Sequence, residues 1–300
     1  MVLSVLKKIL LGLAGLLVFV IIALGGVVTF VQYELGLIGT PAHDTQAPEI
    51  GDIQRPAILV LDKTNGFVHT EALPAASAMF DELAKVNGWN IYQTDNAASH
   101  NAVDLAKFDV VIWNNTSGDI LTDEQREDFK AWMLAGGSWL GVHAAGGDFS
   151  YRWDWYVDEL LGVQFIGHTI DPQFQTADIL VEDSASPLTS HLSGRWNVEN
   201  EEWYAFDRNA SLVGAKVLMS MDESTYKTQQ AVAPGVMAST DIAKILFMVA
   251  TMEGEHPIAW SNGIGNGKMI YSGIGHTAAT YQLPEYREFI TRAVNSLIDP

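Results

Sequence analysis

Downstream of residue 55 the chain opens on a continuous apolar run, Ala57 to Asp62 (AILVLD), the pattern of a strand buried on both faces. Apolar residues then recur at helical spacing between Glu71 and Val86, at Leu73, Ala76, Phe80 and Leu83, and Gly88 follows as a stop. WNIYQT (Trp89–Thr94) and DVVIWN (Asp109–Asn114) predict two more strands. Thr122 and Gln125 form a T-x-x-Q capping box ahead of a helix reaching about Ala135, and GSWLGVH, ending at His143, predicts a fourth strand.

Strand and helix alternating at this spacing indicate an α/β fold, a doubly wound and mainly parallel sheet with helices on both faces. After His143 the pattern loosens. A short aromatic-rich helix in DFSYRWDWYVDELLG and strands near Ala177–Glu182 and Glu202–Phe206 read as an inserted segment, and Met221–Thr240 as a long loop. KMIYSG (Lys268–Gly273) resumes the sheet, and Pro284 opens a closing helix. GIGNGK (Gly263–Lys268) has the glycines of a phosphate loop but precedes a strand, so a hairpin turn explains it. GGSWLG enters a strand and lacks the strand-then-helix order of a dinucleotide site, so no nucleotide cofactor is expected.

The other long apolar run lies at the start. No charged residue occurs from Ile9 to Tyr33, and the 23 residues from Ile9 to Val31 suffice to cross ~30 Å of hydrocarbon as a helix. The run exceeds the apolar region of a cleaved signal peptide, which is about 7–15 residues long. Lys7 and Lys8 on its amino-terminal flank predict a cytoplasmic amino terminus, with the rest of the chain on the periplasmic or outer side of the cytoplasmic membrane. The expected organisation is therefore residues 1–33 as a signal anchor, 34–55 as a linker and 56–300 as one α/β domain.

Composition narrows the chemistry. The chain has no cysteine, which removes disulfides, thiolate metal sites and every cysteine nucleophile. Its net charge of -19 disfavours nucleic acid as a partner. Between Gly146 and Asp207 stand twelve acidic residues and two arginines, so a neutral sugar or a cation fits there better than a phosphorylated ligand.

In a doubly wound sheet, ligands bind at the carboxyl ends of the strands. His69 follows the first strand, Asn115 ends the third, His143 ends the fourth and His276 follows the last, so these positions should line one pocket; the insertion adds His168 and Glu202. His43, His100, His191 and His256 lack that placement and read as packing or surface residues, with His100 on a surface loop. Imidazoles with a carboxylate and no thiols suit a divalent ion such as zinc, with His69, His143, His168 and His276 as the candidate ligands. The same groups could instead serve as general acid and base, with His143 and Glu202 as the catalytic pair. Asn115 and Asp148 are candidate hydroxyl binders, and Trp155, Trp203 and Tyr281 candidate sugar-packing rings.

With these residues assembled, the chain resembles the trehalose-utilisation, ThuA-like family of the class I glutamine amidotransferase-like superfamily. The resemblance runs from about Pro56 to Leu297 and is carried by VLDKTNGFVHTEALP, DVVIWNNTSGDILTDEQREDF, GGSWLGVHAAGG, GVQFIGH, NEEWYAF, HPIAW and KMIYSGIGHT. It implies a flavodoxin-like fold and a role in disaccharide use through keto-sugar intermediates. The superfamily's amidotransferases carry a catalytic cysteine at the elbow where this chain has His143, so glutamine hydrolysis through a thioester is excluded. The expected function is a membrane-tethered domain acting on a disaccharide or keto-sugar as a lyase, isomerase or hydrolase, with metal assistance one expectation. The alternative is a non-catalytic carbohydrate-binding module on the same scaffold. Oligomeric state is not legible in the sequence.

Overall fold

The computed structural model describes residues 41–149, 151, 153–229, 251–252 and 254–298, with short pieces at 12–13, 15–23, 25–26, 29, 231–233 and 236–237. The four expected strands form as β1 (Ala57–Leu61), β2 (Asn90–Thr94), β3 (Val110–Asn114) and β4 (Ser138–Val142). Between them run α1 (Ala72–Asn87), a short α2 (Ala102–Leu105) and α3 (Asp123–Ala135). The capping box at Thr122 and Gln125 is present, each side chain satisfying a backbone N–H of the other.

The insertion contributes β5 (Phe165–Gly167), β6 (Gln175–Val181), β7 (Arg195–Glu201), β8 (Ala205–Phe206) and β9 (Lys216–Met221). A two-stranded pair follows, β10 (Ala231–Ala233) with β11 (Val236–Met237), then β12 (Pro257–Ile264), β13 (Gly267–Ser272) and the closing helix α4 (Pro284–Ile298). GIGNGK is the turn joining β12 to β13. One nine-stranded sheet has the order β2-β1-β3-β4-β13-β12-β9-β6-β7. The first five are parallel, as expected, but each later step is antiparallel. The inserted segment therefore widens the main sheet. Met221 ends β9, so the stretch expected as a loop from that residue begins on a strand, while 230, 234–235 and 238–240 lie outside the described residues.

Strand side chains alternate between two layers. Ile58 and Val60 face α1 and α4, packing with Phe80, Tyr286 and Phe289. Leu59 and Leu61 face α3 and the aromatic insertion, where Trp113 stacks on Phe129 and Tyr156.

The stretch expected as a free linker is partly built into the domain. Asp44 pairs with Lys63 and accepts from the Ala97 N–H, Ile50 is buried, and Arg55 pairs with Asp109. Residues 34–40 lie outside the described residues. The described residues between Gly12 and Thr29 are helical and expose Leu13, Phe19 and Ile22, and the rest of the expected span lies outside the described residues. Among the described residues no helix is long and apolar enough to cross a membrane.

Candidate active site

The carboxyl ends of β1, β3, β4 and β13 open on one edge, and alternation of direction from β13 to β7 brings the end of β7 to the same edge. A bulge between Val198 and Glu201, with Asn200 at φ 53°, bends the end of that strand. The chain then carries Glu201 and Glu202 over the edge, where Glu202 meets the loop after β13.

His143 follows β4 in the left-handed region, at φ 46°. Such backbone strain in a non-glycine residue persists where surrounding contacts hold it. Here Tyr204 stacks on the imidazole with ring centroids 4.2 Å apart, and Gly147 leaves room for Tyr204, since a Cβ there would lie 2.2 Å from its ring. Gly275, at φ 142°, lets the β13 loop pass close to His143 and to the Tyr281 hydroxyl. His143 is thus buried under Tyr204.

Its tautomer follows from its partner. The Gly273 carbonyl, 2.8 Å from Nδ1, can only accept, so Nδ1 carries the proton and Nε2 offers a lone pair to the cluster. A backbone partner of this kind commonly orients a metal-binding histidine. His143 Nε2 lies 3.5 Å from Glu202 Oε2 and 3.3 Å from His276 Nδ1, and His276 Nδ1 lies 2.8 Å from the same carboxylate oxygen. The His69 ring packs edge-on against both, with centroids 4.8 Å from His143 and 4.4 Å from His276. Its buried Nδ1 has no hydrogen-bond partner among the described residues.

His69, His143, Glu202 and His276 each offer one donor atom, all within 4.8 Å of one another. Three imidazoles and a carboxylate, with an orphaned buried imidazole nitrogen among them, fit a divalent transition ion. The cluster can hold a metal. Burial would raise the Glu202 pKa, but the neighbouring His143 and His276 imidazoles, the latter in hydrogen-bond contact with the carboxylate, outweigh it and hold the carboxyl well below its usual range. Burial, reinforced by His143 and His276, holds the His69 imidazole well below the ordinary histidine value.

His168 stands apart from the four. Its Nδ1 donates to the Thr169 carbonyl at 2.9 Å and lies 3.2 Å from Glu202 Oε1, behind the carboxylate, so it is not one of the convergent donors. Gln173 Nε2 donates to the same oxygen at 2.6 Å. Beneath them Glu201, fully buried, accepts from the N–H groups of Glu202 and His276 and from the Thr280 hydroxyl, tying the two loops together.

A cavity of about 260 Å³ opens above this cluster, walled by Phe149, Phe165 and Tyr204 with Asp148, His168 and Gln173 as polar groups. Asp148 lines it as expected, but one of its oxygens is engaged by the Gly118 N–H. The remaining expected binders do not line the cavity. Asn115 is buried and donates to the Tyr281 hydroxyl, which donates to the Gly275 carbonyl, so the pair braces the loop beneath the cluster. Trp203 is buried with its N–H on the Gln175 carbonyl, and Trp155 packs beside Phe129 and Trp153. Both went to core because large rings in a wide sheet need apolar neighbours more than solvent. His100 is likewise core: its Nε2 accepts from the Trp113 indole at 3.0 Å.

Glu201 and Gln173 were not legible in the sequence. Glu201 neighbours Glu202, and the pair EE carries no sign of which carboxylate faces the cluster.

The profile of the trehalose-utilisation family ThuA matches residues 57–295. The chain belongs to this family. A ThuA-like protein from Bacteroides uniformis superposes with a TM-score of 0.65 at 22% identity, covering 84% of this chain and 95% of that one. A second, from Parabacteroides merdae, gives 0.57 at 13% identity, covering 81% and 89%. A β-galactosidase from Rahnella sp. gives 0.50 at 14% identity over 83% of this chain and 32% of its own. These likenesses are of fold. No curated protein matches the sequence. Family membership suggests a role in trehalose utilisation, and the mainly parallel half of the ThuA sheet agrees with a flavodoxin-like placement in the amidotransferase-like superfamily.

Proposed function

We propose that this ThuA protein is a metal-dependent enzyme acting on a disaccharide or keto-sugar at the carboxyl-edge cavity. The observation that carries the reading is the convergence of His69, His143, Glu202 and His276 beneath a cavity whose polar lining groups, among the described residues, include two carboxylates and no lysine or arginine. A neutral, hydroxyl-rich ligand suits that lining better than a phosphorylated one. Zinc or a similar divalent ion, when bound, would polarise a sugar carbonyl or hydroxyl.

The chain's own residues divide the remaining work. Gln173 holds Glu202 through Oε1, with His168 3.2 Å from the same oxygen, which leaves Oε2 turned toward His143 and His276. His168 lines the cavity, and with its Nδ1 proton directed to the Thr169 carbonyl its other nitrogen can take or return a proton at the sugar. In this reading His168 takes the acid/base role that the sequence suggested for His143. A keto-sugar, with its acidic α C–H, is the substrate such a base serves best, in isomerisation or elimination.

The lysine pair before the apolar run supports a further part of the reading, that the domain is tethered to the cytoplasmic membrane and faces outward. A carboxyl-terminal alkaline phosphatase fusion is then active; an inactive one beside an active cytoplasmic reporter reverses the orientation.

The function is tested by incubating the zinc-loaded full chain with 3-ketotrehalose and following products by NMR. Turnover that is lost on chelation and in His168→Ala supports the reading. Saturable binding without product, or turnover indifferent to both changes, overturns it.

A further inference from the structure

Phe67, Val68, Ile170 and Phe174 stand 50%, 47%, 52% and 37% exposed. Isolated exposed apolar residues need no explanation, but a group rimming one pocket does. Phe67 and Ile170 line the cavity itself, so the apolar rim is continuous with it. The two aromatic rings converge on one donor of the cluster: Phe174 lies 4.9 Å from the His276 ring and Phe67 lies 6.4 Å from it, while Phe67 also meets His69 edge-on at 4.9 Å.

Size decides what this rim can serve. At about 260 Å³ the cavity falls below the ~300–1,000 Å³ of pockets that enclose a drug-sized ligand. One pyranose ring is the natural occupant, and a second ring joined to it must lie outside. What it meets there are Phe67 and Phe174, and aromatic rings pack against the C–H faces of sugars. Asp148 and Glu202 below, with no lysine or arginine in the lining among the described residues, disfavour an anionic group at this mouth.

We propose that Phe67 and Phe174 form a second binding position, taking the second pyranose ring of a disaccharide whose first ring occupies the cavity. The inference rests on the reading of the cavity as a sugar site. It places the linkage between the rings at the mouth, beside His276.

Trehalose and glucose test it cleanly, because one is two units of the other. Binding of each, and of their 3-keto forms, is measured calorimetrically on the zinc-loaded full chain. The disaccharide should bind about tenfold more tightly than the matching monosaccharide, a difference of ~1.4 kcal/mol. That preference should fall toward one in Phe174→Ala and in the Phe67→Ala/Phe174→Ala pair, and persist in Phe174→Trp, with zinc content unchanged in Phe174→Ala. Equal binding of the two sugars by the unaltered protein, or a preference that survives both alanine variants, overturns the second position alone. A phenyl glucoside gaining as much as trehalose also overturns it, since the rim would then read any apolar group. Binding of neither sugar overturns the sugar reading itself.

Discussion

His100 and His69 are both buried imidazoles at the carboxyl side of the sheet, and they are held in opposite ways. The His100 ring lies in the layer packed against α3, where Nε2 accepts from the Trp113 indole and the ring packs on Phe129. His69 keeps an unpartnered buried nitrogen among the described residues and packs against two more imidazoles, His143 and His276, around one carboxylate. Burial is common to both, so burial does not mark function. What separates them is whether the polar atoms are already satisfied by neighbours or converge on a shared point.

The sharpest way to break that contrast is to remove one imidazole from each place. His276→Ala should weaken zinc binding by more than about 100-fold, beyond the ~10–100-fold that follows loss of a ligand's hydrogen-bond partner. Competition with a chelating dye measures it, and an unchanged affinity would remove His276 from the donor set. His100→Ala should leave zinc affinity unchanged and instead lower stability by roughly 2–4 kcal/mol, since it opens space in the core and orphans the Trp113 N–H. Denaturant titration of the two variants should therefore rank them in the reverse order to the dye.

Glu201 sharpens the same contrast from below. It makes no contact with the cavity, yet it fixes the backbone under Glu202 and His276. Glu201→Gln, which alters a carboxylate that accepts three hydrogen bonds, should reduce zinc affinity by about 10–100-fold while the fold survives. An affinity within twofold of the unaltered protein would make Glu201 a core residue only.

The last test concerns acid. Burial lowers the His100 pKa from 6.5 to about 3. Between those values the unfolded chain holds a proton that the folded chain refuses, so stability is present above the unfolded pKa and falls as pH drops toward 3, by ~1.4 kcal/mol per pH unit from this group. His100→Gln, which can still accept from Trp113 but does not titrate, should flatten that part of a stability-against-pH curve. An identical slope in the variant would mean that His100 is not the group refusing the proton.

The parallel half of the sheet was legible because its strands are unbroken apolar runs, VVIWN and AILVL, and because Thr122 and Gln125 announce a helix start. The antiparallel half was legible only at β6 and at the turn into β13. Arg195–Glu201 (RWNVENE) alternates exposed and buried positions with charged residues on the open side, so its period is easily read as a polar loop until its partner strand is known. Strand-end placement gathered His69, His143 and His276 at one edge, and the insertion added Glu202 beside them, but neither placement could separate facing groups from their supports, which is how Asn115 entered the binding set and His168 the metal set. The aromatic guess failed for a different reason. Tryptophan and tyrosine drew attention by type, yet Trp155 and Trp203 were needed by the core, and the exposed rings at the mouth are the phenylalanines Phe67 and Phe174.

The central claim is that His69, His143, Glu202 and His276 hold one divalent ion. Elemental analysis of the full chain purified without added metal, alongside His143→Ala, tests it directly. About one equivalent of a transition metal in the unaltered protein, and none in a His143→Ala variant that keeps its circular dichroism, is the predicted result. A metal-free protein that also takes up no zinc, manganese or iron when these are supplied, or a His143→Ala variant with full occupancy, would contradict it.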